Sequence, residues 1–315
     1  MGLNWVKDRL GLKKNSDTNK IGLALSGGAA LGLSHIGCLK AFKEVGIQPD
    51  IISGTSAGAI IGGMYCSGME ISEIEDIALS IDRIKTINLL TPSIKRGALL
   101  KDDNILKFFH KHMGDKTIEQ LKIPFVAVSV DIETGEIVYI DKGSLVGAVR
   151  ASISIPGIFP PFPSKQRLLV DGGLRSNLPL EVLKNYNIDR IIGINVLKNS
   201  QLSMKSCNDS IDLIQTNFEE DDKNLIDKVT KVVKGQHNKT KPQFPPLIKS
   251  LFNSLQILLA ESSLREIEIV QPDLVINVDV SEFKLWEFWE AEKIIDIGYQ
   301  TTKERLTNSQ SLDIL

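Results

Sequence analysis

The chain has 315 residues, 42% hydrophobic and 24% charged, which suits one large α/β domain with an insertion or two small domains. Its 37 Lys and Arg against 39 Asp and Glu leave a formal net charge of −2, so no basic excess exists to displace counterions from phosphates, which argues against general nucleic-acid binding. Cys38, Cys66 and Cys207 are scattered and form no C-x-x-C, which argues against a disulfide framework or a thiolate metal site and fits a reducing compartment.

Residues 1–14 (MGLNWVKDRLGLKK) hold no apolar run long enough for a secretory signal or a membrane-spanning helix. Leu3, Val6 and Leu10 recur at helical spacing beside Trp5, with Lys7, Arg9, Lys13 and Lys14 supplying positive charge. That is the composition of a short interfacial helix on anionic lipid, or of a solvated helix packed on its own domain. The expectation is a cytoplasmic protein in which residues 1–14 make a peripheral contact with the inner face of the membrane.

From residue 21 the pattern alternates. IGLALS (21–26) is a short apolar run that stops at Gly27-Gly28, as a buried parallel strand does. Residues 33–45 read as a helix closed by Gly46, 50–53 as a second strand, and 57–66 as a helix of small residues. Residues 101–112 look helical, and 125–130, 137–140, 167–170 and 191–196 are strand candidates. Residues 199–249 are polar, with an acidic run at 219–222 and the segment KTKPQFPP, and read as an insertion or cap. Apolar content returns from Leu251, followed by a strand at 273–280 and a helix containing Trp289 and residues 291–297. The sum is an α/β fold with a mainly parallel sheet covered by helices, in a single domain over 21–315 that follows an amphipathic segment at 1–20.

Three motifs carry chemistry. Gly54-Thr55-Ser56-Ala57-Gly58 fits G-x-S-x-G, in which a sharp strand-to-helix turn projects a serine hydroxyl and small neighbours relieve the crowding. Alone, the pattern arises by chance in about one chain of this length in ten, but here a strand precedes it and a helix follows. Gly27-Gly28-Ala29-Ala30-Leu31-Gly32 also joins a strand to a helix, where backbone N–H groups can hold a developing negative charge. A dinucleotide fingerprint would need Gly at position 29, and a P-loop would need Lys-Ser/Thr where Leu33-Ser34 stands, so an oxyanion hole serving Ser56 fits better than either. Asp171-Gly172-Gly173 follows the strand at 167–170; its carboxylate can take the serine proton, although Asp-Gly is also an ordinary turn dipeptide.

Histidine decides between a dyad and a triad. Of His35, His110, His112 and His237, only His237 follows Asp171, and it falls in the polar insertion. His35 reads as a packing or hydrogen-bonding residue, and His110 and His112 as solvated residues on a charged helix. A Ser-Asp dyad is favoured, and no metal cluster is evident.

SGGAALG, GTSAG and DGG, in this order and separation, resemble the patatin-like phospholipases, and most of all the bacterial and archaeal branch related to the neuropathy target esterase catalytic domain. RGALLKDDNILKFF (96–109), IPFVAVSVDIETGE (123–136), RASISIPGIFPPF (150–162) and residues 272–299 resemble that branch too. The resemblance implies a three-layer α/β/α fold and a lipid acyl hydrolase acting on fatty esters with no cofactor or metal. It places the nucleophile at Ser56, the base at Asp171 and the oxyanion amides at Gly27, Gly28 and Ala29, supported by Gly32, Gly54, Gly58, Gly172 and Gly173. The competing reading is a catalytically weak docking module of the same fold. Two departures stand out: Ala29 where the family has a third glycine, and Leu31 where it has Arg or Lys, which bears on headgroup preference. RASISIPGIFPPF offers apolar surface beside Asp171, either for an acyl channel or as core.

Overall fold

The computed structural model describes residues 20–89, 102–197 and 246–307. The segment 1–14, His237, Cys207 and nearly all of the polar stretch 199–249 lie outside them. The strands are β1 (Ile21–Leu25), β2 (Ile51–Thr55), β3 (Phe125–Asp131), β4 (Ile137–Ile140), β5 (Phe162–Ser164), β6 (Arg167–Asp171), β7 (Arg190–Asn195) and β8 (Leu274–Asn277). The helices are α1 (Ser34–Glu44), α2 (Ala57–Cys66), α3 (Ile71–Leu79), α4 (Arg83–Leu89), α5 (Asp102–Met113), α6 (Leu145–Ser152), α7 (Pro246–Val270) and α8 (Ala291–Thr307). The chain forms two compact units, Met1–Lys198 with Leu259–Leu315, and Asn199–Leu258. The described part of the second is the first half of α7.

One sheet runs in the order β5-β6-β3-β2-β1-β7-β8, with β4 antiparallel to β3 outside that path. The central pairs β3-β2-β1-β7-β8 are parallel, and only β4, β5 and β6 reverse direction. This is the mainly parallel sheet expected. Alternation sorts the side chains. Ala24, Ile51 and Val126 face a layer made by Leu178, Leu180, Leu183 and the end of α7 at Val270. On the opposite face Leu25, Ile52 and Phe125 meet α2 at Gly62. The two faces give three layers.

The register of β3 builds the site. Its first half pairs with β2 and ends at Thr55 opposite Val128, while its second half pairs with β6, placing Ser129 opposite Asp171. Ser56 and Asp171 therefore leave two strands that both pair with β3, at adjacent positions of its register, although 115 residues of chain separate them.

Several boundaries differ from the sequence reading for local reasons. The glycine loop first forms a 3-10 turn over Ala29–Leu33, and α1 begins only at Ser34. Trp289 lies in a separate 3-10 turn (Phe288–Glu290), before α8 begins at Ala291. The strand expected over 273–280 is β8 alone, since only Leu274–Asn277 pair with β7. Helices α3 and α6 were not expected, although Ile71, Ile74 and Ala78 have helical spacing and Glu70 with Glu73 forms a capping box. Among the described residues no helix is long and apolar enough to cross a membrane.

Candidate active site

Ser56 sits between β2 and α2 with φ 53° and ψ −117°, a left-handed backbone conformation costly for a residue with a Cβ. Close packing enforces the turn. A Cβ on Gly54 would approach the Gly58 carbonyl oxygen to 2.5 Å, and one on Gly58 would approach the Leu25 carbonyl oxygen to 2.2 Å. Small residues at both ends of G-x-S-x-G thus let α2 start against the strand ends. The Ser56 N–H donates to Ser152 Oγ at 2.9 Å, and Ser152 Oγ donates to the Val128 carbonyl at 2.6 Å, so α6 braces the elbow. Thr55 Oγ1 donates to the Ser176 carbonyl at 2.8 Å from the other side.

Asp171 is 5% exposed, and its Oδ1 accepts the Gly173 N–H at 2.8 Å. The Ser56 hydroxyl favours the charged form of this carboxylate. Burial pushes the Asp171 acid up from 3.8 to about 6, against the opposing pull of the Gly173 hydrogen bond and of Ser56. A carboxylate near 6 is a stronger base than an exposed one and is still ionised at neutral pH. Gly172 is needed for close approach, since a Cβ there would lie 2.3 Å from the Val128 carbonyl oxygen. A Cβ on Gly32 would lie 2.4 Å from Ala57 Cβ, and one on Gly173 would lie 2.3 Å from Leu259 Cδ2.

The glycine loop corrects one expectation. The Gly27 N–H is already occupied, donating to the Asn177 carbonyl at 3.0 Å. The Gly28 and Ala29 N–H groups meet no acceptor among the described residues, so they are the donors open to an oxyanion. Ala29 adopts φ 48°, which favours the glycine that this chain lacks. Ala29→Gly is expected to raise stability by roughly 0.5–1 kcal/mol, the relief of left-handed strain less the extra freedom of the unfolded chain, as read from the urea midpoint. Leu31 is 3% exposed and is not among the residues lining the cavity described below. Its side chain is part of the core.

Among the described residues no histidine is hydrogen-bonded to Ser56 or Asp171. His35 is buried, with Nε2 2.8 Å from the Ser26 carbonyl oxygen, and burial pushes its pKa down to about 4. His110 faces solvent and pairs with Asp115 at 2.8 Å. Among the described residues no three His, Cys, Asp or Glu side chains could share a metal ion.

A cavity of about 150 Å³ opens from Ser56. Ala57, Ile60, Ile61 and Met64 of α2 line it at i, i+3, i+4 and i+7; Ile74, Ile77 and Ala78 of α3 and Ile81 just beyond it face the same space. Ile105, Phe108 and Phe109 of α5 and Ile153, Ile155 and Phe159 complete the wall. Among the described residues Ser56 and Thr86 are the only ones in the lining that carry a hydroxyl. Buried Arg150 ties down the loop that carries Ile153–Phe159: Nη1 donates to Ser154 Oγ at 2.6 Å, Nη2 donates to the Pro160 carbonyl at 3.1 Å, and the guanidinium lies 5.1 Å from the Phe159 ring centre.

The sequence reading missed the contributions of α3, Ser152, Asn177 and Glu266. Glu266 is buried; burial raises its pKa, and its carboxylate accepts from the Ser176 hydroxyl and from the N–H groups of Leu180 and Glu181 at 2.9 and 3.0 Å. A glutamate in a helix normally reads as solvated, so only its partners reveal this role.

An uncharacterised NTE family protein of Mycobacterium tuberculosis is 36% identical over 183 residues, covering 58% of this chain and 51% of that protein. The neuropathy target esterase sws of Drosophila melanogaster is 30% identical over 286 residues, 89% of this chain but 19% of its own length. The chain thus spans about half of the mycobacterial relative. VipD from Legionella pneumophila aligns in structure with a TM-score of 0.46 at 14% identity, over 92% of this chain and 67% of that one. The patatin-like phospholipase model matches residues 23–184, half of the chain, and includes both Ser56 and Asp171; the chain belongs to the patatin-like phospholipase family.

Proposed function

We propose that the protein is a serine lipid acyl hydrolase that cleaves fatty acyl esters through Ser56 and Asp171. The observation that carries this reading is the strained Ser56, brought by the register of β3 to the level of the buried Asp171 carboxylate and opening onto an almost wholly apolar cavity. Asp171 removes the hydroxyl proton as Ser56 Oγ attacks the ester carbonyl carbon, and the Gly28 and Ala29 N–H groups receive the charge that collects on the carbonyl oxygen. Collapse expels the alcohol, which leaves with the proton from Asp171. Water then repeats the sequence on the acyl-enzyme and releases the fatty acid.

The test is covalent labelling with a fluorophosphonate, followed by peptide mapping, beside hydrolysis of chromogenic esters of graded chain length. Labelling at Ser56 together with turnover is the expected result. Lipid binding with neither labelling nor turnover would leave a docking module.

The cavity also predicts selectivity. Met64 lies eight residues beyond Ser56 along α2, about 12 Å at ~1.5 Å per residue. Met64→Trp is expected to lower kcat/KM for long-chain esters about tenfold or more while changing butyrate hydrolysis less than about twofold, because only long chains reach that depth. Equal losses at every length would place the acyl chain elsewhere.

A further inference from the structure

Asn177 follows Asp171 by six residues, in DGGLRSN, and is wholly buried. Three of its four hydrogen-bonding groups hold the frame. Its carbonyl accepts the Gly27 N–H at 3.0 Å, its N–H donates to Ser262 Oγ at 3.0 Å, and Nδ2 donates to Ser263 Oγ at 2.9 Å. Ser263 Oγ spends its own proton on the Leu259 carbonyl at 3.2 Å, so toward Asn177 it can only accept. The amide nitrogen must therefore face Ser263, and Oδ1 points the other way, where it meets no donor among the described residues.

The neighbouring glycines locate that oxygen. A Cβ built on Gly27 would lie 2.6 Å from Oδ1 and 3.2 Å from Ser56 Cβ. One built on Gly173 would lie 3.0 Å from Oδ1 and 3.1 Å from Asp171 Oδ1. The oxygen thus sits between the glycine loop and the DGG turn, beside both members of the pair. A buried acceptor with no donor is destabilising, and native proteins generally satisfy such atoms. Next to a carboxylate, the guest that satisfies both acceptors is a molecule with two donors, and water is the smallest.

We propose that Asn177 is a positioning residue for the water that releases the acyl group, an inference that rests on the Ser56–Asp171 reading above. One water hydrogen is donated to Asn177 Oδ1 and the other to the Asp171 carboxylate, which leaves a lone pair for the acyl carbon. As the water oxygen bonds to that carbon, the second hydrogen passes to Asp171 and the ester π electrons move to the carbonyl oxygen. Collapse breaks the bond from carbon to Ser56 Oγ, Asp171 returns its proton to Oγ, and the fatty acid leaves with the first hydrogen. Acylation uses no water, so Asn177 bears on deacylation alone.

Rapid-mixing kinetics with a p-nitrophenyl fatty ester and intact-protein mass spectrometry separate the two steps. Asn177→Leu preserves volume and both main-chain bonds, and Asn177→Ala, which only truncates, serves as a second variant should leucine not pack. In either, deacylation is expected to slow about 10- to 100-fold while the acylation burst stays within about threefold, so that an acyl adduct accumulates on Ser56. Ser263→Ala removes the partner of Nδ2 but spares Oδ1; it is expected to lower the thermal midpoint and leave the ratio of the two rates unchanged. Equal losses in both steps, unaltered deacylation, or the same change of ratio in Ser263→Ala would overturn the proposal. A wild-type adduct on another residue would overturn the Ser56 reading and this inference with it.

Discussion

Ser56→Ala is expected to abolish fatty-ester hydrolysis, with a loss on the order of 10⁴-fold or more, while leaving the fold intact. The substitution removes one oxygen. The N–H bond to Ser152 belongs to the backbone and survives, and alanine tolerates φ 53° no worse than serine. Ser56→Gly makes the complementary case: glycine relaxes in the left-handed region, so this variant should be equally inactive but more heat-stable than the alanine form. Circular dichroism melts beside ester hydrolysis read both effects. Substantial residual turnover in the alanine variant would move the nucleophile to another side chain.

The second large effect concerns Asp171. Asp171→Asn is expected to lower kcat/KM on the order of 10³-fold, since an amide cannot accept the serine proton. In the wild type, kcat/KM should rise with pH through about 6, where the buried acid ionises, and level off above it; the variant should show no such rise. Stability runs the other way. The folded-state pKa of about 6 lies above the ordinary 3.8, so the contribution of this group to stability is fully present below pH ~4 and is lost as pH rises through about 6. At pH 8 the wild type carries a buried charge that asparagine does not. Asp171→Asn should therefore be the more stable protein there, by as much as about 3 kcal/mol, with the gap closing toward pH 4. A variant less stable at pH 8 would show that the Gly173 hydrogen bond and Ser56 outweigh burial.

What the sequence made legible was local. IGLALS, GTSAG and the run ending at Asp171 announce their strands through apolar content and their turns through glycine, and the elements at β1, β2, α2, β3, β4 and β6 fall within a residue or two of expectation. The occupied Gly27 amide and the buried face of Leu31 were not legible, because each depends on a residue distant in the chain or on which side of a 3-10 turn packs inward. The α7 helix was hidden for a different reason. It begins at Pro246 inside a proline-containing polar stretch, and the buried glutamate in its second half disguises a packed face as a solvated one. Asn177 carries no motif of its own; only the direction of one amide oxygen distinguishes it from a turn residue.

The contact between α1 and α8 bears on how the protein is made. A Cβ on Gly37 would lie 1.9 Å from the Ile295 carbonyl oxygen, and one on Gly298 would lie 2.1 Å from the Ser34 carbonyl oxygen, so the two backbones touch. The Ala30 N–H of the glycine loop likewise donates to the Leu285 carbonyl at 3.0 Å. The loop and the helix that follows it are thus completed by residues that a ribosome synthesises more than 250 positions later. Strands β1 and β7, paired across almost 170 residues, impose the same delay. A nascent chain therefore holds Ser56 and Asp171 long before it holds their frame, and the proposed pair is expected to assemble late, as the last elements dock.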